Sequence, residues 1–135
     1  MSTTNISEDT LHHFETRLYE LINCNPGISG VLLATTDGFE VATAGELGGC
    51  EASSAAAMTS SMLSLAIAMV NETQLSPCQN LIVEAGAGKI LIMSVPGKNY
   101  PMLLTILTRP EAAFGQLLLD ARITVRDLTA VLQAA

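Results

Sequence analysis

The glycine-rich segment Gly86-Ala87-Gly88-Lys89 is the part of the chain that most resembles a nucleotide-binding motif. A phosphate-binding loop needs the pattern G-x-x-x-x-G-K-[ST] between a strand and a helix whose N-terminus faces the anion. Here Lys89 is followed by Ile90-Leu91-Ile92, which is typical of a strand. The segment is therefore predicted to be the turn of a β-hairpin.

The histidine, serine and carboxylate side chains show no arrangement typical of a catalytic site. His12 and His13 are adjacent on a predicted helix, so they point about 100° apart and cannot bind a metal as i, i+4 ligands do. No serine lies in a G-x-S-x-G motif, and the glutamates are scattered along the chain. We therefore predict no catalytic residue, and a small hydrolase would need a nucleophile and a base that the sequence does not reveal.

The three cysteines, Cys24, Cys50 and Cys78, indicate neither a disulfide framework nor a zinc site. They are odd in number, form no C-x-x-C pair and have no histidine nearby. Free cysteine commonly behaves as a small apolar residue, so buried, reduced thiols are expected. No metal and no cofactor is predicted.

The longest uncharged segment runs from Ala52 to Asn71, between Glu51 and Glu72. About 20 residues suffice to span a bilayer as a helix. Its many polar residues and acidic flanks argue against insertion, since no basic residues nearby would orient a span. We therefore predict a helix without membrane insertion. The polar, acidic N-terminal segment lacks the features of a signal peptide and favours a cytoplasmic location.

On a helical wheel this segment has two neighbouring apolar stripes, which together cover more of the circumference than the apolar face of an ordinary surface helix. The first stripe is predicted to pack in the core, although methionine also suits an adaptable binding surface; it consists of Ala55, Met58, Met62, Leu65 and Met69. Contact with another chain is expected on the second stripe or on the remaining small, uncharged face. The second stripe consists of Ala56, Leu63, Ile67 and Val70, and the small face of Ser53, Ala57, Ser60, Ser61, Ser64, Ala68 and Asn71.

Helix and strand signals follow each other in the order α-β-β-α-β-β-β-α. The first helix is predicted to begin after an N-cap at Ser7. Asp37-Gly38 is a strong hairpin signal between two apolar runs. Short turns join three later strands, predicted at Asn80–Ala85, Lys89–Val95 and Tyr100–Leu107. The last helix is predicted to begin at Thr108-Arg109-Pro110-Glu111, which has the form of a capping box.

This order predicts one α+β domain over residues 1–135, with a flexible tail at 1–6. It is built on a five-stranded antiparallel sheet, with the middle helix on one face and the terminal helices on the other. The 49% hydrophobic and 14% charged content leaves little charge to cover the surface, which suggests burial in an oligomer. A net charge of -7 with six basic residues makes nucleic acid an unsuitable partner.

The element order resembles the roadblock family of dynein light chains and its bacterial relatives, whose fold is profilin-like. The segment from Gly30 to Ala42, the small-residue-rich middle helix and the hairpin from Leu81 to Val95 carry the resemblance, which covers about residues 7–132. It implies a homodimer or heterodimer in which the middle helices pack together and strand 80–85 pairs with its copy. The interface expected on this basis comprises Ala52, Ala56, Thr59, Ser60, Leu63, Ile67, Val70, Leu81, Ile82, Val83 and Glu84.

Members of this family bind small Ras-like GTPases or act as scaffolds in motor and signalling complexes. Some bacterial relatives accelerate GTP hydrolysis without inserting an arginine finger, so the resemblance implies no catalytic residue in this chain. The resulting hypothesis is a non-enzymatic, dimeric regulator or scaffold of a small GTPase. The alternative is a small-ligand sensor module of PAS-like type, because sheets flanked by helices also form ligand pockets.

Overall fold

The helices and strands follow the predicted order over residues 6–134, which are the residues that the computed structural model describes. Their bounds are α1 (Glu8–Cys24), β1 (Ile28–Thr35), β2 (Glu40–Gly45), α2 (Ala52–Glu72), β3 (Leu81–Ala85), β4 (Gly88–Val95), β5 (Met102–Thr108) and α3 (Phe114–Ala134). The five strands form one sheet in the order β2-β1-β5-β4-β3, and every pairing is antiparallel. This confirms the predicted α+β fold class.

The hairpin between β1 and β2 is closed by hydrogen bonds around Asp37-Gly38. The hydroxyl of Thr35 donates to the Asp37 carboxylate and accepts from the backbone N–H of Phe39. Gly38 has φ +98°, a conformation that costs a residue without Cβ little. The Asp-Gly turn is therefore formed where the sequence predicts it.

Helices α1 and α3 cover one face of the sheet and enclose the larger core. Ser7 caps α1 by accepting a hydrogen bond from the N–H of Thr10, as predicted. Phe14 and Leu18 of α1 and Leu128 of α3 are fully buried against the sheet. Ile6 packs against the same core, and the other positions of the predicted flexible tail, 1–5, lie outside the described residues.

Helix α2 covers the opposite face of the sheet, as predicted. By length and composition it could also cross a membrane, but here it lies across the strands. Ala56 and Leu63 pack in a second, smaller core with residues of β1, β4 and β5 such as Leu32, Ile92 and Leu103. Together with the α1–α3 core, this contact gives a sheet covered on both faces.

The last helix begins later than the capping-box prediction placed it. Thr108 ends β5, and its hydroxyl accepts a hydrogen bond from the backbone N–H of Lys89 on β4. The Arg109 guanidinium donates to the carbonyls of Pro26 and Ile28, which ties this segment to the start of β1. Because strand contacts already hold Thr108 and Arg109, the helix begins only at Phe114.

Gly30 offers a test of how closely the sheet packs against the loop that follows β2. A Cβ at Gly30 would collide with the backbone carbonyl of Glu46, whereas a Cβ at Gly86 would meet no atom within 4 Å. We expect Gly30→Ala to lower the free energy of unfolding by about 1–3 kcal/mol, because the backbone at Glu46 or at residue 30 would have to move. The matched change Gly86→Ala should leave the free energy of unfolding within about 0.5 kcal/mol of the wild-type value. Urea unfolding of both variants measures the difference, and equal stabilities would contradict the close contact.

Ala56 lies on the face of α2 that packs against the sheet, and its burial gives a second stability prediction. Its side chain is fully buried, whereas Ala68 on the same helix is exposed. We expect Ala56→Arg to destabilise the fold by about 3–5 kcal/mol or more, since an unpaired charge would be buried. Ala68→Arg should leave stability nearly unchanged. Thermal unfolding followed by circular dichroism compares the two, and a well-folded Ala56→Arg protein would show that α2 does not lie as described.

Candidate dimer and partner interface

Three of the predicted interface residues face the sheet of their own chain and not a partner. Ala56, Thr59 and Leu63 are all buried in the contact between α2 and the strands. Ala52 is partly buried against the same core. The prediction of these residues as an intermolecular surface needs correction, because the inward face of a covering helix is already occupied.

Ser60 has a structural partner within the chain as well. Its hydroxyl donates to the backbone carbonyl of Thr36 in the turn between β1 and β2. A Cβ placed on Gly38 in that turn would lie 3.5 Å from the Cα of Ala57, so the helix and the turn approach closely. This flank of α2 therefore holds the hairpin turn in place.

Ile67 and Val70, the remaining α2 residues of the predicted interface, are only partly accessible. Ile67 is 37% exposed, and it follows Ser60 by seven residues, which places both on one flank of the helix. Val70 is half-buried. They can contribute to the edge of a contact surface but do not form its centre.

The most accessible apolar surface of α2 is instead the methionine-containing stripe, which was predicted to be core. Met58 is 54% exposed, Leu65 72% and Met69 64%. The core prediction is therefore wrong for Met58, Leu65 and Met69, whereas Ala55 and Met62 of the same stripe are half-buried against the smaller core. The residues of α2 that are fully packed on the sheet are Ala56, Thr59 and Leu63. The signal that could have revealed this is the position of alanine and threonine on the inward face, where they permit close packing.

One edge of the sheet is β3, which pairs only with β4 within residues 6–134 and whose Leu81 packs against the smaller core beneath α2. Leu81 and Val83 are half-buried, and Ile82 and Glu84 are exposed. The carboxylate of Glu84, whose side chain is 78% exposed, lies 4.0 Å from the ammonium group of half-buried Lys89 in an ion pair that contributes little to stability. The predicted interface residues of β3 therefore lie on an accessible strand with unpaired backbone groups.

The methionine-containing stripe and β3 lie on the same side of the molecule. Met58 and Met62 line one cleft together with Ile90 of β4, and Ile90 is the register partner of Val83. We call this surface the α2–β3 face and define it by Met58, Met62, Leu65, Met69, Leu81 and Val83. It joins an apolar helix surface to a free strand edge without a charged side chain among its defining residues.

The described part of the chain shows no geometry for metal binding. Within residues 6–134, no group of three or more His, Cys, Asp or Glu side chains could hold a metal ion. Cys24 and Cys50 are exposed and Cys78 is half-buried, which corrects the prediction of buried thiols, and all three are free. His12 and His13 are exposed on α1. The segment at Gly86 is the β3–β4 turn, as predicted.

Comparison with protein families matches residues 16–108 to the Roadblock/LC7 domain. Comparison with curated proteins gave no match. A Roadblock/LC7 domain from Streptomyces avermitilis is 19% identical with a TM-score of 0.78, covering 87% of this chain and 96% of that one. Myxococcus xanthus MglB is 13% identical with a TM-score of 0.84, covering 96% of this chain and 94% of that one. MglB has also been solved in a tetrameric arrangement.

The chain is also similar in structure, though less closely, to a profilin complex. The LokiProfilin1 complex with rabbit actin contains a chain that is 16% identical with a TM-score of 0.62, covering 89% of this chain and 96% of that one. At these identities the likeness to solved structures concerns the fold, and it agrees with the profilin-like architecture expected from the sequence. The family match covers more than half of the 135 residues. The chain therefore belongs to the Roadblock/LC7 family.

Proposed function

We propose that the protein is a non-enzymatic, homodimeric regulator or scaffold of a small Ras-like GTPase, acting in the cytoplasm. The observation that carries the proposal is the α2–β3 face, an accessible apolar surface beside a free strand edge in a member of the Roadblock/LC7 family. The family resemblance supports the GTPase as partner. The absence of a catalytic motif from the sequence supports a regulatory role without chemistry by this chain's own side chains.

A second copy of the same chain suits the α2–β3 face. Antiparallel pairing of β3 with β3 of the partner would extend the sheet across both chains and satisfy the backbone groups at the edge. A two-fold axis at that pairing would place the two α2 helices side by side. Met58, Met62 and Met69 suit such a contact, because methionine adapts its shape to a neighbouring surface.

The small-residue face of α2 would remain accessible in this dimer. Ser61, Ser64 and Ala68 are exposed and lie on a different side of the helix from Met69. Small, uncharged side chains allow the backbone of another protein to approach closely. We propose this face as the docking surface for the GTPase, whose binding would then not compete with dimerisation.

Dimerisation can be tested with a charge on the exposed stripe. We expect Leu65→Glu to convert the dimer to a monomer at micromolar concentration, because a carboxylate would be buried at the centre of the contact. The side chain is 72% exposed in the protomer, so folding should be preserved. Ser64→Glu adds the same charge to the neighbouring residue and should leave the dimer intact. Analytical ultracentrifugation measures both, and a dimeric Leu65→Glu protein would place the interface elsewhere.

GTPase binding is tested separately with Ras-like GTPases from the native cytosol, each loaded with GTP. We expect the wild-type dimer to bind at least one of them, and Ser64→Glu to weaken that binding about tenfold or more while remaining dimeric. Calorimetry gives the affinity, and the rate of GTP hydrolysis distinguishes a regulator from a scaffold. Failure of every Ras-like GTPase to bind would contradict the proposal even if the protein is a dimer.

A further inference from the structure

The second edge of the sheet, β2, lies on the side away from the proposed dimer contact. Within residues 6–134 this strand pairs only with β1, and the strand order places β2 and β3 at opposite edges. An edge strand presents a row of backbone N–H and C=O groups that another strand can bind. The surroundings of β2 therefore indicate what kind of chain suits it.

The unpaired backbone groups of this edge can be located from the ladder between β1 and β2. The N–H of Glu46 donates to the carbonyl of Ser29 at 2.8 Å. In an antiparallel ladder, hydrogen-bonded and non-hydrogen-bonded pairs alternate. Ala44 and Ala42 are therefore the next residues bonded to β1, and Thr43 between them directs its N–H and C=O away from the sheet. Within the described part of the chain, neither of these two groups has another partner.

Helix α1 borders this edge with an acidic flank. A Cβ at Gly45 of β2 would lie 2.9 Å from the Cδ1 of Ile22, so the flank of α1 that contains Ile22 faces β2. Helical spacing places Glu8 and Glu15 on the same flank, and both are exposed. Arg17, the one basic residue of α1 besides its histidines, lies on the opposite flank and bonds to a carboxylate of α3 at 3.1 Å. No lysine or arginine of α1 therefore faces this edge.

The other face of the edge is acidic as well. Leu32, the register partner of Thr43, packs in the smaller core beneath α2, which places the side chain of Thr43 on the α2 face. The hydroxyl of Thr43 donates to the carboxylate of exposed Glu40 at 2.8 Å, so Glu40 lies on this face too. Glu46, directly after the strand, is also exposed. Carboxylates on both faces thus flank one unpaired stretch of backbone.

We propose that β2 binds an extended, positively charged segment of a second partner protein, which adds to the sheet as a sixth strand. The segment pairs with the backbone of Thr43, and its lysine or arginine side chains lie opposite the carboxylates on the two faces. Tyr19 on α1 and Phe39 before β2 are 53% and 46% exposed and offer apolar contact beside the edge. This surface is separate from the α2–β3 face, so the inference goes beyond the proposed dimer and GTPase contacts.

A second copy of the chain is a poor occupant of this edge. Pairing of β2 with β2 of another copy would bring carboxylates of the same set together, and like charges on opposed strands are destabilising. Each chain also carries a net charge of -7, which opposes the approach of another copy. The charge of the edge therefore selects a basic partner.

The test adds an octapeptide of paired lysines and paired valines, capped at both ends, to the ¹⁵N-labelled full chain. We expect the largest shifts of amide signals at Thr43 and its neighbours on β2, and none at Ile82 of β3. The matched peptide carries N-methyl groups on alternate residues, which keeps the charge but removes donors needed for strand pairing. It should bind at least about tenfold more weakly. Equal binding of both peptides, or shifts confined to β3, would overturn the proposal.

Two variants separate the backbone from the charge. Thr43→Pro removes the outward N–H without a loss from the β1 ladder and should weaken peptide binding about tenfold. The double charge reversal Glu15→Lys with Glu40→Lys, at exposed positions, should weaken it to a similar extent. Glu72→Lys, at the exposed end of α2, is the control for charge and should bind as wild type does. Wild-type affinity in both the proline and the double variant would contradict the site.

Sedimentation of the same proteins distinguishes the other occupant. A wild-type species larger than a dimer that Thr43→Pro reduces to a dimer would assign the edge to a second copy and overturn the proposal. We expect dimerisation and GTPase binding to be the same in Thr43→Pro and wild type. Loss of GTPase binding by every variant and by wild type would count against the proposed function alone, because the peptide titration reports on β2 separately.

Discussion

The close contact between α2 and the sheet determines most of what this molecule presents to its surroundings. Ala56 and Thr59 place small side chains against the strands on either side of Leu63, so only part of the apolar surface of α2 is used in this contact. Met58, Leu65 and Met69 are displaced to the outside as a result.

The position of β3 beside the exposed stripe narrows the kind of partner that this surface can bind. An apolar helix surface by itself could accept many partners, and a free strand edge by itself is a general hazard that proteins usually protect. Together they suit the proposed dimer, because a second copy of the chain offers both a strand to pair and a helix to pack. The proposed homodimer therefore rests on the geometry of this face as well as on the family resemblance.

The sequence predicted the elements well and the orientation of α2 poorly. Strands and turns depend on local signals such as Asp37-Gly38, so their order and the antiparallel sheet followed directly. Which stripe of α2 faces the sheet depends on packing between distant segments. Because the apolar surface of α2 is wider than one face, either of its two stripes could be expected to pack against the sheet. The capping-box prediction at Thr108 failed for a similar reason, because the hydroxyl is used by a neighbouring strand. Among residues 6–134 the buried hydroxyl of Thr105 on β5 has no hydrogen-bond partner, which could be recognised only once the surrounding side chains were in place.

The lack of charge on the α2–β3 face has a consequence for how association responds to ionic strength. Each chain carries a net charge of -7, so two copies repel each other at long range. In the proposed dimer, the apolar contact made by Met58 and Leu65 gains nothing from ion pairs that salt could weaken. Screening therefore removes only the repulsion, over a Debye length of about 8 Å at physiological ionic strength. Added salt should tighten this association, opposite to the response of an interface held together by opposite charges.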